Sequence, residues 1–232
     1  MLQLPLLLLA AGTGASGDSD SLLPPLPSKR GQPVGMVLVQ GAQIPTARYL
    51  PLAKAVQAAV PFPLAVAVPA FVGDVPQPLQ IAYCLSRATK ALQKAGVPEG
   101  APLIGAGHSL GTVMLQDYLF DHHSAGFVAQ VLMGGALQRK YRNGTKSHAF
   151  PLATLTLDGT LDGLYRVMRQ AETYYHALPA NPTAAQRKAA AQHSPVVVYE
   201  GVNHMQFASG PPPSTVAKND LPAEVSDSSA HA

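Results

Sequence analysis

One serine of the chain has the sequence context of a nucleophile. Residues 107–111 match the pattern G-x-S-x-G around Ser109; the apolar run 101–106 precedes them, and apolar side chains at helical spacing follow. A serine at a sharp strand-to-helix turn has strained dihedrals, and its neighbours must be glycine because a Cβ atom there would collide with the strand and helix. The pattern therefore predicts that the Ser109 hydroxyl is exposed and that the N–H of Leu110 is free.

A serine hydroxyl needs a histidine that accepts its proton, and that histidine needs a carboxylate that fixes its tautomer. His204 is the best candidate because it follows the last apolar strand, where the loops of a parallel sheet gather around a site. Other histidines are less well placed: His193 precedes that strand, His108 lies inside the serine turn as a packing residue, and His122, His123 and His176 fall on helices or at their ends.

Two carboxylates, Asp158 and Asp162, follow the predicted strand 152–157 and are the candidates for the acid. The same stretch partly matches a calcium-binding loop. The position where a bidentate glutamate would complete such a loop is Arg169, however, so no metal site is predicted.

From Gly35 onward, strand-like and helix-like segments alternate, which is typical of an α/β fold with a parallel sheet. The predicted strands are 36–40, 63–68, 102–106, 127–133, 152–157 and 195–200, and the predicted helices are 49–59, 79–95, 112–120, 164–178 and 183–192. This gives about six mostly parallel strands flanked by helices. The connection from Met133 to Leu152 is short and polar, so no cap domain is expected over the site.

Composition limits the class of protein. The chain has 232 residues, 47% of them hydrophobic and only 12% charged, which fits one α/β domain with a substantial core. A scattered net charge of +3 does not indicate nucleic-acid binding. The single cysteine, Cys84, excludes an internal disulfide and a cysteine-based zinc site.

The ends of the chain differ from its middle. The apolar block 1–11 is too short to span a bilayer; it predicts either a secretory or organelle-targeting segment or a loosely packed tail. Residues 12–17 match G-x-G-x-x-G, but the prolines that follow exclude the helix that a dinucleotide site requires. We therefore expect an N-terminal tail at 1–33, in which residues 18–30 form a proline-rich linker. A catalytic domain at 34–210 and a C-terminal tail at 211–232 follow.

These motifs resemble the α/β-hydrolase superfamily over about residues 34–204, because serine, acid and histidine follow in the family's order. The resemblance implies that the acid stands in a G-x-x-D turn, which selects Asp162 and leaves Asp158 as the alternative. It also implies an oxyanion hole formed by the N–H of Leu110 and one from the loop after the first central strand. That loop begins with Gln40-Gly41 where many members have His-Gly, which leaves Ala42 and Gln43 as alternatives.

The resemblance implies a cofactor-independent serine hydrolase that cleaves a carboxylic ester through an acyl-enzyme. A compact chain without a cap is most similar to small carboxylesterases, dienelactone-hydrolase-like enzymes and the chlorophyllase group. The expected partner is a small ester, apolar in view of the runs 50–52 and 69–72, with no nucleic acid and no integral membrane segment. The alternatives are a thioesterase or lipase acting on acyl chains, and a non-catalytic hydrolase-like protein that binds a small apolar ligand.

Overall fold

The computed structural model describes residues 19–122, 125–141, 150–178 and 181–231. Within these residues, seven strands form one sheet in the order β1-β3-β2-β4-β5-β6-β7. The strands are β1 (Ser21–Leu23), β2 (Val34–Val39), β3 (Leu64–Val68), β4 (Leu103–His108), β5 (Phe127–Met133), β6 (Ala153–Gly159) and β7 (Val196–Tyr199). β1 pairs antiparallel with β3, and the other neighbouring pairs are parallel.

Five longer helices connect or follow the strands: α1 (Leu50–Ala59), α2 (Pro78–Lys94), α3 (Leu110–Asp121), α4 (Val167–Ala177) and α5 (Ala184–His193). Two one-turn helices, α6 (Ser214–Ala217) and α7 (Asp227–Ala230), lie near the C-terminus. Local sequence explains several helix ends. Proline at the start of α2 needs no N–H partner there, and Gly96 takes a left-handed φ of 101° just after that helix.

Hydrophobic residues cover both faces of the sheet because successive side chains of a strand point to opposite sides. In β2, Val37 and Val39 join a cluster with α2 and α3, whereas Leu38 joins a second cluster with α1. β3 alternates in the same way and is buried throughout, so both strands lie inside a three-layer sandwich. This rigid centre fixes the strand ends that carry the site.

The predicted fold class is confirmed, with one strand more than the sequence indicated. β1 lies in the stretch 18–30, which reads as linker in the sequence, and its pairing with β3 is therefore a correction. Asp20 strengthens this attachment: its Oδ1 accepts hydrogen bonds from the Ala70 N–H at 2.8 Å and from Arg87 at 2.7 Å. A strand of three residues that pairs through its backbone leaves little hydrophobic pattern, which explains why the sequence does not predict it.

Several sequence features lie outside the described residues, among them the block 1–11, the G-x-G-x-x-G match at 12–17 and His123. The described part of the connection from β5 to β6 contains one short 3-10 turn, Arg139–Tyr141, and no cap. In the described part of the chain, no helix is both long and apolar enough to cross a membrane.

Candidate active site

The candidate residues lie at one edge of the sheet. Ser109 follows β4, Asp162 follows β6 and His204 follows β7, and the loop with Ala42 and Gln43 follows β2. These strands are parallel, so their carboxyl ends meet at the same edge, where open α/β sheets bind their ligands.

Ser109 has the strained turn that its sequence predicts. Its φ of 51° and ψ of −119° are rare for a residue with a side chain. Its N–H donates to the Met133 carbonyl at 3.0 Å, and its own carbonyl accepts from the N–H and the hydroxyl of Thr112. The strained conformation is thus held from both the strand side and the helix side.

The two glycines of the motif are required by close backbone contacts. A Cβ atom on Gly107 would lie 2.8 Å from the carbonyl carbon of Gly111. One on Gly111 would lie 2.6 Å from the Gln40 carbonyl oxygen and closer still to that of Val39. Helix α3 therefore starts in direct contact with the end of β2. The Leu110 N–H, at the first position of that helix, has no acceptor among the described residues.

His204 forms a buried pair with Asp162. Its Nδ1 lies 2.7 Å from Oδ2 of Asp162, and the two side chains are 2% and 0% exposed. The N–H groups of Leu164 and Tyr165 donate to the other carboxylate oxygen, Oδ1. Burial alone would raise the pKa of Asp162, but the hydrogen bond and charge of His204 outweigh it and leave the pKa lowered. Asp162 is therefore ionised and fixes the proton of His204 on Nδ1.

The opposite nitrogen of His204, Nε2, is buried and has no hydrogen-bond partner among the described residues. No hydrogen bond joins it to Ser109 in this structure. Both residues contact the end of β5: the Met133 carbonyl accepts from the Ser109 N–H, and the next residue, Gly134, borders the imidazole of His204. A Cβ atom on Gly134 would lie 2.8 Å from Nδ1 of His204, so only glycine leaves room for the ring.

Asp158, the alternative acid, does not contact His204 through a hydrogen bond. Its Oδ1 accepts from the Gly159 N–H at 2.9 Å, and its Oδ2 accepts from Nε2 of Gln170 at 2.8 Å. Burial first, and the charge of Asp162 second, raise the pKa of Asp158 to about 8. The geometry therefore pairs the histidine with Asp162.

Two backbone donors of the loop after β2 are already engaged. The Gly41 N–H donates to the Tyr49 hydroxyl at 2.6 Å, and the Gln43 N–H donates to the Asp74 carbonyl at 2.8 Å. Between them, the Ala42 N–H has no acceptor among the described residues. Of the two residues that the sequence offers as oxyanion donors, Gln43 has its N–H engaged, whereas Ala42 does not. Asp74 also binds the side chain of Gln40 at 2.9 Å, which holds the loop at a second point.

A buried hydrogen-bonded chain links three parts of the site. The Tyr49 hydroxyl accepts from the Gly41 N–H, and it donates to Nδ1 of His108 at 2.9 Å because Nε2 of this ring faces a carbonyl and so carries the ring proton. Nε2–H of His108 then donates to the His204 carbonyl at 3.0 Å. Burial and the charge of His204 lower the pKa of His108 to about 3, so this ring is neutral. The sequence placed His108 as a packing residue but gave no signal for Tyr49.

The other histidines that the sequence analysis considered lie away from the site where the structure describes them. His193 is exposed at the end of α5, and His122 binds the Tyr118 carbonyl on the surface. His123 and the side chain of His176 lie outside the described residues. In the described ranges, no three histidine, cysteine, aspartate or glutamate side chains are grouped as metal ligands would be.

Comparison with known proteins gives a likeness in structure only. No protein-family model matches the sequence, and no curated protein matches it significantly. Among solved structures, a predicted CIB-like hydrolase from Thermoplasma acidophilum is similar with a TM-score of 0.52 at 12% identity, over 77% of this chain and 79% of that one. A thermophilic esterase from Thermogutta terrifontis has a TM-score of 0.51 at 16% identity, over 82% of this chain and 79% of that one. At these identities the likeness concerns the fold, and it shows that the chain has the α/β-hydrolase fold.

Proposed function

We propose that this protein is a serine hydrolase that cleaves a carboxylic ester through an acyl-enzyme. The observation that carries the proposal is the strained turn of Ser109 at the same sheet edge as the buried pair of His204 and Asp162. Backbone strain of this kind costs about 1–3 kcal/mol and persists only where the surrounding structure holds it.

The proton of Ser109 needs an acceptor, and Nε2 of His204 is the suitable one. Asp162 keeps the other ring nitrogen protonated, so the lone pair on Nε2 is available, and no described group occupies it. The hydrogen bond from Ser109 is expected to form when substrate binds, because catalytic hydrogen bonds are often long or poorly aligned in free enzymes. As Ser109 attacks the ester carbonyl, His204 takes its proton, and the Asp162 carboxylate stabilises the resulting cation.

The attack turns the carbonyl oxygen into an oxyanion that requires donors. The N–H groups of Leu110 and Ala42 have no acceptor among the described residues, and we assign this role to them. Leu110 opens helix α3, whose N-terminus further favours negative charge. Backbone donors keep their position during the reaction, which is the main source of their catalytic effect.

Breakdown of this intermediate releases the alcohol, which receives the proton from His204, and leaves the acyl group on Ser109. Water then attacks the acyl-enzyme, with His204 again as the base, and frees the acid. No step requires a metal or an organic cofactor.

Of the run 69–72 proposed to contact an apolar substrate, only Val72 is well exposed; Ala70 and Phe71 are buried. Val72 lies two residues before Asp74, which holds the oxyanion loop. We therefore expect a small ester whose apolar part passes near Val72. Relative rates on nitrophenyl esters of increasing acyl length test this point.

The direct test is the hydrolysis of nitrophenyl acetate and butyrate by wild type, Ser109→Ala and Ser86→Ala. Ser86 is exposed on α2 and serves as the matched control. We expect Ser109→Ala to lose about 10³-fold or more in kcat, and Ser86→Ala to stay close to wild type. Folded Ser109→Ala that kept a tenth of wild-type turnover, or more, would refute Ser109 as the nucleophile. A folded wild type that bound such esters without any turnover would favour the non-catalytic alternative.

A further inference from the structure

The C-terminal segment 211–231 contacts the two loops that carry the proposed acid and base. These loops are the acid turn, residues 160–165, and the histidine segment, residues 200–207. One carboxylate of the C-terminal segment, Asp220, accepts backbone hydrogen bonds from both loops. The proposed reaction gives this side chain no role.

Both oxygens of the Asp220 carboxylate have N–H partners. Oδ1 accepts from the Gly163 N–H of the acid turn at 3.2 Å and from the His204 N–H at 3.1 Å. Oδ2 accepts from the Met205 N–H at 3.1 Å. These three N–H groups have no backbone acceptor among the described residues. A carboxylate suits them, because hydrogen bonds to a charged acceptor are stronger than neutral ones.

The buried pair of Asp162 and His204 thereby has a contact between its two loops on each side. Before the pair, the Leu161 N–H of the acid turn donates to the Val202 carbonyl at 3.0 Å. Beyond the pair, the described part of the chain has no backbone hydrogen bond between the two loops. Asp220 supplies the link there. The 2.7 Å contact between the imidazole and the Asp162 carboxylate depends on the spacing of these loops.

The position of Asp220 is itself fixed. Its N–H donates to the Val216 carbonyl at 3.0 Å, and the Val216 side chain is buried in the same hydrophobic cluster as Met205. The carbonyl of the next residue, Leu221, accepts from Nδ2 of Asn203 at 2.7 Å. The carboxylate is therefore held on one side by the core and on the other by the histidine segment.

Gly163 shows how closely the C-terminal segment approaches the acid turn. A Cβ atom at this position would collide with the Asn219 carbonyl and would lie 2.9 Å from the Cα atom of Asp220. Only glycine permits this approach, which brings the Gly163 N–H within reach of the carboxylate. The turn and the C-terminal segment therefore fit each other, and one cannot shift without the other.

We propose that Asp220 is a positioning residue that joins the acid turn to the histidine segment and so holds Asp162 and His204 at hydrogen-bond distance. It acts through backbone N–H groups and takes no part in proton transfer. The catalytic unit then extends beyond residue 210, where the sequence predicts that the catalytic domain ends. The effect on catalysis rests on the proposed function, whereas the effect on the buried pair does not.

The first test observes the contact between Asp162 and His204 and needs no esterase activity. In nuclear magnetic resonance spectra of wild type with isotopically labelled histidine, the Nδ1–H of His204 should give a far-downfield proton peak, because it is buried against a carboxylate. Asp162→Asn removes that acceptor and so assigns the peak. Asp220→Ala should broaden the peak or abolish it, because the two loops can then move apart. An unchanged peak in folded Asp220→Ala would overturn the proposal.

Asp227→Ala is the matched control. Asp227 is an aspartate of the same segment, and its Oδ1 accepts one hydrogen bond, from Nε2 of Gln206 at 3.3 Å. Among the described contacts, it has no hydrogen bond to the acid turn or to His204. This variant should therefore keep the downfield peak. Loss of the peak in both variants would mean that any weakening of the segment has this effect, and would overturn the specific role of Asp220.

Hydrogen exchange provides a second test that does not depend on the folding of Asp220→Ala. In wild type, the amides of Gly163, His204 and Met205 should be protected from exchange by the carboxylate. Asparagine at position 220 keeps one acceptor oxygen, which can still serve the first two amides, but its NH₂ group then faces the third. Exchange in Asp220→Asn should therefore speed up at Met205 alone. Unprotected amides of Gly163 and His204 in folded wild type would overturn the proposal.

Ester hydrolysis measures the catalytic effect. Asp220→Ala should lower kcat by about 10²-fold and leave KM nearly unchanged, because the base loses its alignment while the residues around the substrate remain. Asp220→Asn should recover most of this loss, and Asp227→Ala should stay close to wild type. Equal kcat values for wild type and folded Asp220→Ala would overturn the proposal. A wild type without any esterase activity would instead refute the proposed function, and the downfield peak and the exchange rates would still decide whether Asp220 holds the pair.

Discussion

Removal of the Tyr49 hydroxyl tests whether the buried chain of hydrogen bonds that links the loop after β2 to His108 and His204 supports the site. Tyr49 and His108 are both 0% exposed, so water cannot replace the lost contacts. In Tyr49→Phe the Gly41 N–H loses its acceptor, and Nδ1 of His108 loses its donor. The ring itself remains and leaves almost no cavity.

The magnitude follows from these two orphaned groups. Each buried polar group without a partner costs about 1–3 kcal/mol, so the free energy of unfolding should fall by about 2–6 kcal/mol. For a domain of this size, that corresponds to a Tm lower by about 5–20 °C. Since Gly41 precedes Ala42, the N–H that we propose as an oxyanion donor should shift as well. Removal of such a donor costs about 10²–10³ in kcat, and we expect about tenfold from its displacement.

Thermal and urea denaturation measure the stability, and ester hydrolysis by the folded variant measures kcat. Tyr199→Phe is the matched control, because Tyr199 is 41% exposed and its hydroxyl has no hydrogen bond to the described residues. A Tyr49→Phe protein within about 0.5 kcal/mol of wild type would show that this chain of hydrogen bonds does not stabilise the site.

Three further changes give sharp expectations. Asp162→Asn should lower kcat by about 10⁴-fold in a protein that still folds by circular dichroism, because asparagine presents a donor to Nδ1 and permits the wrong tautomer of His204; a loss under about tenfold would exclude Asp162 as the acid. Gly111→Ala should destabilise the fold by more than the roughly 1–3 kcal/mol that overpacking usually costs, because the new Cβ atom would collide with the carbonyls of Val39 and Gln40. If urea denaturation shows a loss of less than about 1 kcal/mol, α3 can move away from β2. Deletion of residues 1–27 should lower the Tm clearly, because it removes β1 and the hydrogen-bond partners of Ala70, Thr46 and Gln57. An unchanged Tm in calorimetry would show that residues 18–30 are a linker after all.

The strained turn at Ser109 and the position of His204 after the last strand could be predicted from the sequence because simple rules govern both. The glycines at 107 and 111 report a steric requirement between neighbouring residues, and the structure shows those close contacts. His204 could be found because the carboxyl ends of parallel strands meet at one edge, whatever the details of packing. The longer strands and helices could also be predicted, because the spacing of their hydrophobic residues follows the period of each element.

The remaining features depend on contacts between distant residues. Tyr49 meets His108 across 59 positions, and His108 meets His204 across 96, so no local pattern marks this chain. The choice between Asp158 and Asp162 depends on which carboxylate the turn after β6 directs toward the imidazole. β1 was missed because it is held mainly by backbone pairing and by Asp20, which a hydrophobic pattern does not record.

Covalent labelling of Ser109 is the measurement that tests the central claim most directly. A fluorophosphonate probe should react with the wild-type protein at one site, and mass spectrometry of the digested protein should place the adduct on the peptide that contains Ser109. Labelling should vanish in Ser109→Ala and should be much slower in His204→Ala, because the hydroxyl then lacks its base. An adduct on another residue, or no adduct on folded wild type, would contradict the assignment of Ser109 as the nucleophile.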